Sequence, residues 1–194
     1  MEPGNIIKII SSQRHDFLNH LSVISGLVQL NKVELVPGYI VKVSEEIKSL
    51  RKVIHLKYPR AALELIAGYY QAAGSQVEVV YRAEWDFADC SVPDEVVAGA
   101  LGEVIERLLA CQSGPAARGG RLEILLESTR SFGSCTLTLT VEQDAAADGL
   151  AEAVAGISDR LAAYGGGAGL TAHQGRLAVT LLFLLAPEEG KIGI

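Results

Sequence analysis

The run Arg14-His15-Asp16-Phe17-Leu18-Asn19-His20 holds the residues of this chain best suited to chemistry. A histidine, the acid directly after it and an amide one helical turn on are the parts needed to present an imidazole to a phosphoryl group. In that reading His15 is the nucleophile, and a neutral ring attacks in line. Asp16 hydrogen-bonds the imidazole or takes part in its proton traffic. Asn19, four residues on and so on the same helical face, positions a water or the incoming phosphoryl. Arg14 offsets phosphate charge. Each residue also has a plain reading. A lone helical histidine is most often a solvated surface group, Asp16 a solvated helix acid, Asn19 a partner contact, and Arg14 a long side chain that snorkels out of a packed seam.

These residues need a helix to hold them, and the spacing supplies one. Ile10, Arg14, Phe17, Leu21, Ile24 and Val28 alternate steps of three and four, the pattern of a bundle seam with Arg14 in one polar slot. Leu18 widens the stripe to what a bundle requires. His15, Asp16 and Asn19 fall on the polar side, and His20 falls on the shoulder of the seam, where it is expected to pack. The spacing of five from His15 to His20 does not stack the two rings, which argues against a metal pair.

The first helix is predicted over 6–30. A break follows over 31–38, with Pro37-Gly38 marking the turn. A second helix over 39–56 repeats the seam through Ile40, Val43, Ile47, Leu50 and Ile54. Two such helices cannot bury both stripes as an isolated pair, so a second copy is expected to complete a four-helix bundle, making the protein a homodimer.

Pro59 closes this module. Beyond it the pattern alternates: a helix over 61–73, a strand over 76–82, a helix over Asp94–Cys111 opened by Pro93, and a Gly/Pro/Ala loop over 112–120. Strands over Arg121–Thr129 and 135–143 are joined near Phe132-Gly133. A helix over 150–164 and a closing hairpin of 170–173 and 177–185 around Gln174-Gly175 complete the chain. The predicted class is α+β: a helical hairpin (1–58) that dimerises into a four-helix bundle, then a two-layer sandwich (59–194) with helices on one face of a largely antiparallel sheet. Gly165-Gly166-Gly167-Ala168-Gly169 runs from helix into strand, the reverse of a phosphate loop, and is predicted to be a turn.

Composition sets the outer limits. A hydrophobic fraction of 49% in 194 residues argues against disorder. The longest apolar run, 177–186, is about half of the ~20 residues a membrane span requires. The N-terminus lacks a basic region followed by an apolar core, so neither signal peptide nor membrane attachment is expected. Cys90, Cys111 and Cys135 are widely spaced, with no Cys-x-x-Cys. They read as free thiols of a cytoplasmic protein, with zinc not expected. Every lysine but Lys191 lies at or before Lys57, so the acidic excess behind the net charge of −6 belongs to the later residues. A basic helical face without dense Lys/Arg clusters or interleaved aromatics suits an acidic protein partner better than nucleic acid. No Ser/His/Asp triad or paired-carboxylate hydrolase site is visible.

Residues 13–21, followed by Val23-Ile24-Ser25-Gly26-Leu27-Val28-Gln29-Leu30, resemble the phosphoacceptor helix of sporulation-type histidine kinases, and Tyr39-Ile40 with Val43-Ser44-Glu45-Glu46 resembles that family's second helix. The remaining two thirds resemble a worn kinase ATP-binding domain. In 100–109, Glu103 and Arg107 stand where the family has paired asparagines. At 144–149, Asp-Ala-Ala-Ala-Asp-Gly stands where an Asp-x-Gly-x-Gly motif is expected, and no room is left for the flexible lid. A cation at 107 cannot serve as the Mg²⁺ ligand.

This pattern resembles the sporulation initiation phosphotransferase B family more than the kinases. The resemblance implies a phosphorelay enzyme that takes a phosphoryl group from one response-regulator aspartate onto His15 and passes it to another, in sporulation signalling. It also implies Mg²⁺ brought by the partner receiver domain, no cofactor of its own, doubtful ATP binding, and a link between an amide such as Asn19 and phosphatase activity. Two rival readings are an ATP-dependent histidine kinase module, with Glu103 holding Mg²⁺, and a non-enzymatic dimer that regulates receivers or kinases by binding them.

Overall fold

The computed structural model describes residues 3–112, 120–129, 134–142 and 149–186. Helix α1 (Pro3–Gln29) and helix α2 (Val36–Ile54) form the hairpin, joined through a short 3-10 turn at Val33–Leu35. The reversal lies earlier than Pro37-Gly38, where the sequence predicts it. Asn31 takes a left-handed φ of 59° and turns the chain, a conformation asparagine tolerates better than most residues. Pro37 instead lies in the first turn of α2, where its missing N–H costs no helical hydrogen bond.

The partly covered stripe of α1 runs through Ile9, Ser12, Asp16, His20, Ile24 and Leu27, and α1 meets both α2 and α3. Most of the predicted seam lies outside that stripe. Ile10, Phe17, Leu21 and Val28 of α1, with Ile40, Ile47 and Ile54 of α2, are exposed in the single chain.

Helix α3 (Pro59–Gly74), strand β1 (Glu78–Ala83), helix α4 (Asp94–Cys111), strands β2 (Arg121–Thr129) and β3 (Ser134–Glu142), helix α5 (Leu150–Ala162) and strands β4 (Gly167–His173) and β5 (Arg176–Leu184) follow. The sheet order is β1-β2-β3-β5-β4. β1 runs parallel to β2 with Glu78 opposite Arg121, and the other pairs are antiparallel, with Leu122 opposite Val141, Ser134 opposite Leu184 and Gly167 opposite Leu182. The glycine run is a turn only at its start, because Gly167 to Gly169 belong to β4. The predicted turn near Phe132-Gly133, and the loop 112–120 apart from its two ends, lie outside the described residues.

Alternation along the strands sends one set of side chains to the helices. Leu122, Ile124, Leu126, Leu137, Leu139, Val179, Leu181 and Phe183 are fully buried there, in one cluster with Leu65 of α3, Leu101 and Leu108 of α4, and Ile157 and Leu161 of α5. The other face carries Thr136, Thr138, Thr140 and Thr180, with Thr138 and Thr180 sharing a cross-strand hydrogen bond of 3.3 Å. Gly68 lets α3 approach α4, since a Cβ there would stand 2.7 Å from Cγ2 of Ile105.

The hairpin enters this core directly. Val53 and Leu56 belong to the same cluster, and Tyr58 stacks on Phe87 with centroids 5.2 Å apart and planes 10° apart. The Tyr58 hydroxyl donates to the carbonyls of Val92 at 2.6 Å and Cys90 at 3.0 Å. Asp94 accepts from the backbone N–H groups of Arg60 and Ala61, both at 2.9 Å. It thereby satisfies N-terminal donors of α3 that no intrahelical partner can reach.

Candidate functional site

Helix α1 presents His15 outward, with 74% of its side chain exposed. The ring is not free to spin. Asn19, one turn on, meets Nδ1 through its amide nitrogen at 3.1 Å, and the Asp16 carboxylate lies 3.7 Å from the same atom. Both neighbours act on Nδ1, so Nε2 is left for a visiting group.

Two tautomers suit this arrangement. An Asn19 N–H donating to Nδ1 puts the ring proton on Nε2. With the amide turned by half a turn, Nδ1–H donates to the amide oxygen and Nε2 carries the bare lone pair that a nucleophile needs. The Asp16 charge on the Nδ1 side favours the second tautomer. Chemically the site can orient an imidazole and offer one nitrogen to an electrophile.

Of the four residues singled out from the sequence, the structure brings three together: His15, Asp16 and Asn19. Arg14 is exposed and forms no ion pair among the described residues. His20 is packed, as its position on the helix predicts. Its Nδ1 shares a 2.9 Å hydrogen bond with the Tyr39 hydroxyl of α2, with the rings tilted at 6.0 Å.

Sequence reasoning missed the flank supplied by α3. Burial first, then the charges of Glu46, Tyr70 and Asp16, push the Tyr69 phenol up to about 12. Burial and then Asp16 raise Tyr70 as well. The Asp16 charge therefore acts on His15 of its own helix and, through space, on a pair of tyrosines of α3. Nothing local in the sequence announces this, because Asp16 and these tyrosines lie more than fifty residues apart.

The contact between α4 and α5 bears on the rival reading as a kinase. Glu103 is tied across it to Arg160 of α5 at 2.5 Å. Arg107 places Nη1 3.5 Å from where a Cβ on Gly149 would stand, at the start of α5. A carboxylate engaged by a guanidinium, with a cation one turn away, is a poor donor set for Mg²⁺. Arg160 is a residue the sequence alone could not have paired with Glu103. The segment 144–148, where a glycine motif is expected, lies outside the described residues. Among the described residues no group of three His, Cys, Asp or Glu side chains could hold a metal ion, and no helix is long and apolar enough to cross a membrane.

The fold of the sheet module is that of histidine-kinase catalytic domains. The chain is similar to the catalytic domain of histidine kinase ThkA, at 8% identity and a TM-score of 0.53 over 68% of this chain and 93% of that one. It is also similar to the Acinetobacter baumannii histidine kinase AdeS, at 11% identity and a TM-score of 0.54 over 89% and 98%, and to a histidine kinase from Burkholderia phymatum, at 14% and 0.50 over 96% and 100%. Comparison with the curated proteins finds no match. Residues 1–56 match the model of the SpoOB-type sensor kinase alpha-helical domain. That match covers the hairpin, and the likeness to the solved structures is one of fold.

Proposed function

We propose that this protein is a phosphorelay phosphotransferase, which accepts a phosphoryl group from one response-regulator aspartate on His15 and passes it to another. The observation that carries the reading is the exposed His15 ring, held through Nδ1 by Asn19 and Asp16 with Nε2 presented outward. The Glu103–Arg160 ion pair supports a phosphotransferase over a kinase, because it spends the carboxylate a kinase reading needs for Mg²⁺.

In this mechanism His15 Nε2 attacks the aspartyl phosphate in line. Asp16 and Asn19 hold the ring and stabilise its charge, and Arg14 meets the phosphoryl oxygens. Mg²⁺ belongs to the receiver domain, and the chain supplies no cofactor. Residues 1–58 act as the phosphoacceptor and dimerisation domain, and 59–194 as a degenerate ATPase-like domain. Two copies pair through the exposed seam of α1 and α2 to form a four-helix bundle. The protein works in the cytoplasm, in a pathway of sporulation type.

Incubation with γ-labelled ATP and Mg²⁺, followed by incubation with phosphorylated receiver domains, tests the reading. The expected result is no label from ATP and acid-labile label on His15 from the receivers. Label from ATP that depends on His15 would make the protein a kinase. No label from any donor in a folded dimer would leave a binding regulator.

A further inference from the structure

Two of the three cysteines that the proposed chemistry leaves unused, Cys90 and Cys135, converge on one end of the sheet. Cys90 lies in the segment between β1 and α4, and its backbone bridges Leu185 just past β5. Ser91 extends the contact by donating its N–H to the Leu184 carbonyl at 3.0 Å. Cys135 sits on β3 opposite Phe183 of β5, and its thiol donates to the Phe183 carbonyl at 3.4 Å. Phe183 and Leu185 are two residues apart and so point to one face of the chain. Phe87, three residues before Cys90, packs against Phe183 at 6.2 Å and against Trp85 at 4.5 Å, which draws the segment onto that face.

Access to the two thiols differs. Cys90 is partly exposed, whereas Cys135 is fully buried. Cys111, on α4, is separate, and its thiol donates to the Arg107 carbonyl at 3.0 Å.

We propose that Cys90 and Cys135 form a redox pair, which a hydroperoxide oxidises to an intramolecular disulfide that fastens the segment before α4 to strand β3. The electrostatics agree with the placement. Interaction with the Cys135 thiol brings Cys90 down to about 7 against the effect of burial, helped by a backbone hydrogen bond at Val92 and by the Tyr58 hydroxyl. The same pairing and burial push Cys135 up.

Cys90 is therefore the attacking thiolate and Cys135 the resolving thiol. The Cys90 sulfur attacks the hydroperoxide, an S–O bond forms, the O–O bond breaks, and the alkoxide leaves and is protonated to an alcohol. Cys135 sulfur then attacks Cys90 sulfur. The S–S bond forms as the S–O bond breaks, and the departing hydroxide takes the Cys135 proton to leave as water. Two thiols and one hydroperoxide give a disulfide, an alcohol and water. With hydrogen peroxide as oxidant, both products are water.

The test treats the full chain with hydrogen peroxide, unfolds it in acid, alkylates the remaining thiols and maps them by mass spectrometry. The expected result is the joint loss of alkylation at Cys90 and Cys135, one peptide pair linked through them, and retained alkylation at Cys111. Reduction by dithiothreitol should restore both sites. In Cys90→Ser, Cys135 should lose its sensitivity to peroxide. Three outcomes would overturn the proposal: Cys90 carried to sulfinic acid with Cys135 still alkylated, Cys111 oxidised as fast as Cys90, or Cys135 equally sensitive in Cys90→Ser. None of these readouts depends on His15.

Discussion

His15 owes its candidate role to exposure combined with restraint. A solvated helix side chain makes few packing contacts, so His15→Ala is expected to change stability by no more than about 0.5 kcal/mol while removing all acid-labile label acquired from phosphorylated receivers. Circular dichroism and phosphate release from the same preparation check both halves. Asn19→Ala keeps the nucleophile but releases Nδ1. The expected effect is a slower transfer, by up to about 10²-fold, with unchanged folding, measured by rapid-quench labelling. At this scale the juxtaposition of His15, Asp16 and Asn19 was legible, because they lie about one turn apart on one helix and periodicity places them together. The influence of Asp16 on Tyr70, and the Arg160 partner of Glu103, were not legible. Both arise from tertiary packing, and no spacing rule spans such separations.

Helices and strands followed their patterns closely, and the departures have physical causes. The reversal between α1 and α2 was expected at Pro37-Gly38, the stronger turn signal by composition. Asn31 made it instead, since a proline two residues into a helix suits that helix as well as it suits a turn. The start of α3 depends on a partner outside the helix. Asp94 accepts from the N–H groups of Arg60 and Ala61, so Asp94→Ala leaves donors of α3 without that acceptor. The expected cost is about 1 kcal/mol, a fall in Tm of roughly 2–4 °C for a chain of this size, read by differential scanning calorimetry. Asp94→Asn, which keeps one acceptor oxygen, should recover part of the loss.

Across the whole molecule, the exposed side of the hairpin sets the expectation for assembly. Phe17, Ile47 and Ile54 are each at least 60% exposed in the single chain, and with Ile10, Leu21 and Val28 they leave apolar side chains open on both helices of the hairpin, the kind of surface that marks an interaction site. The expected species is a dimer by analytical ultracentrifugation, and Ile47→Glu should halve the mass without unfolding the sheet module. Alkaline pH offers a second global probe. Burial raises Tyr58, Tyr69, Tyr70 and Tyr81 above the ordinary phenol value of 10. Groups raised on folding contribute stability that is fully present below pH 10 and is lost as pH climbs through their folded values. Tyrosinate absorbance should therefore lag behind that of six free phenols until the protein unfolds, and a denaturant series above pH 10 should show falling midpoints.

The junction between the modules has a consequence of its own. The matched helical family ends at residue 56, yet Val53 and Leu56 are counted among the residues that fill the sheet module's interior. The line drawn by descent and the line drawn by cohesion thus fall on different sides of the last turn of α2. Cutting the chain at the first would open a hole in what remains. Heat or denaturant should meet one cooperative body, in which the arm bearing His15 is a cantilever built into the wall and not a pendant on a string.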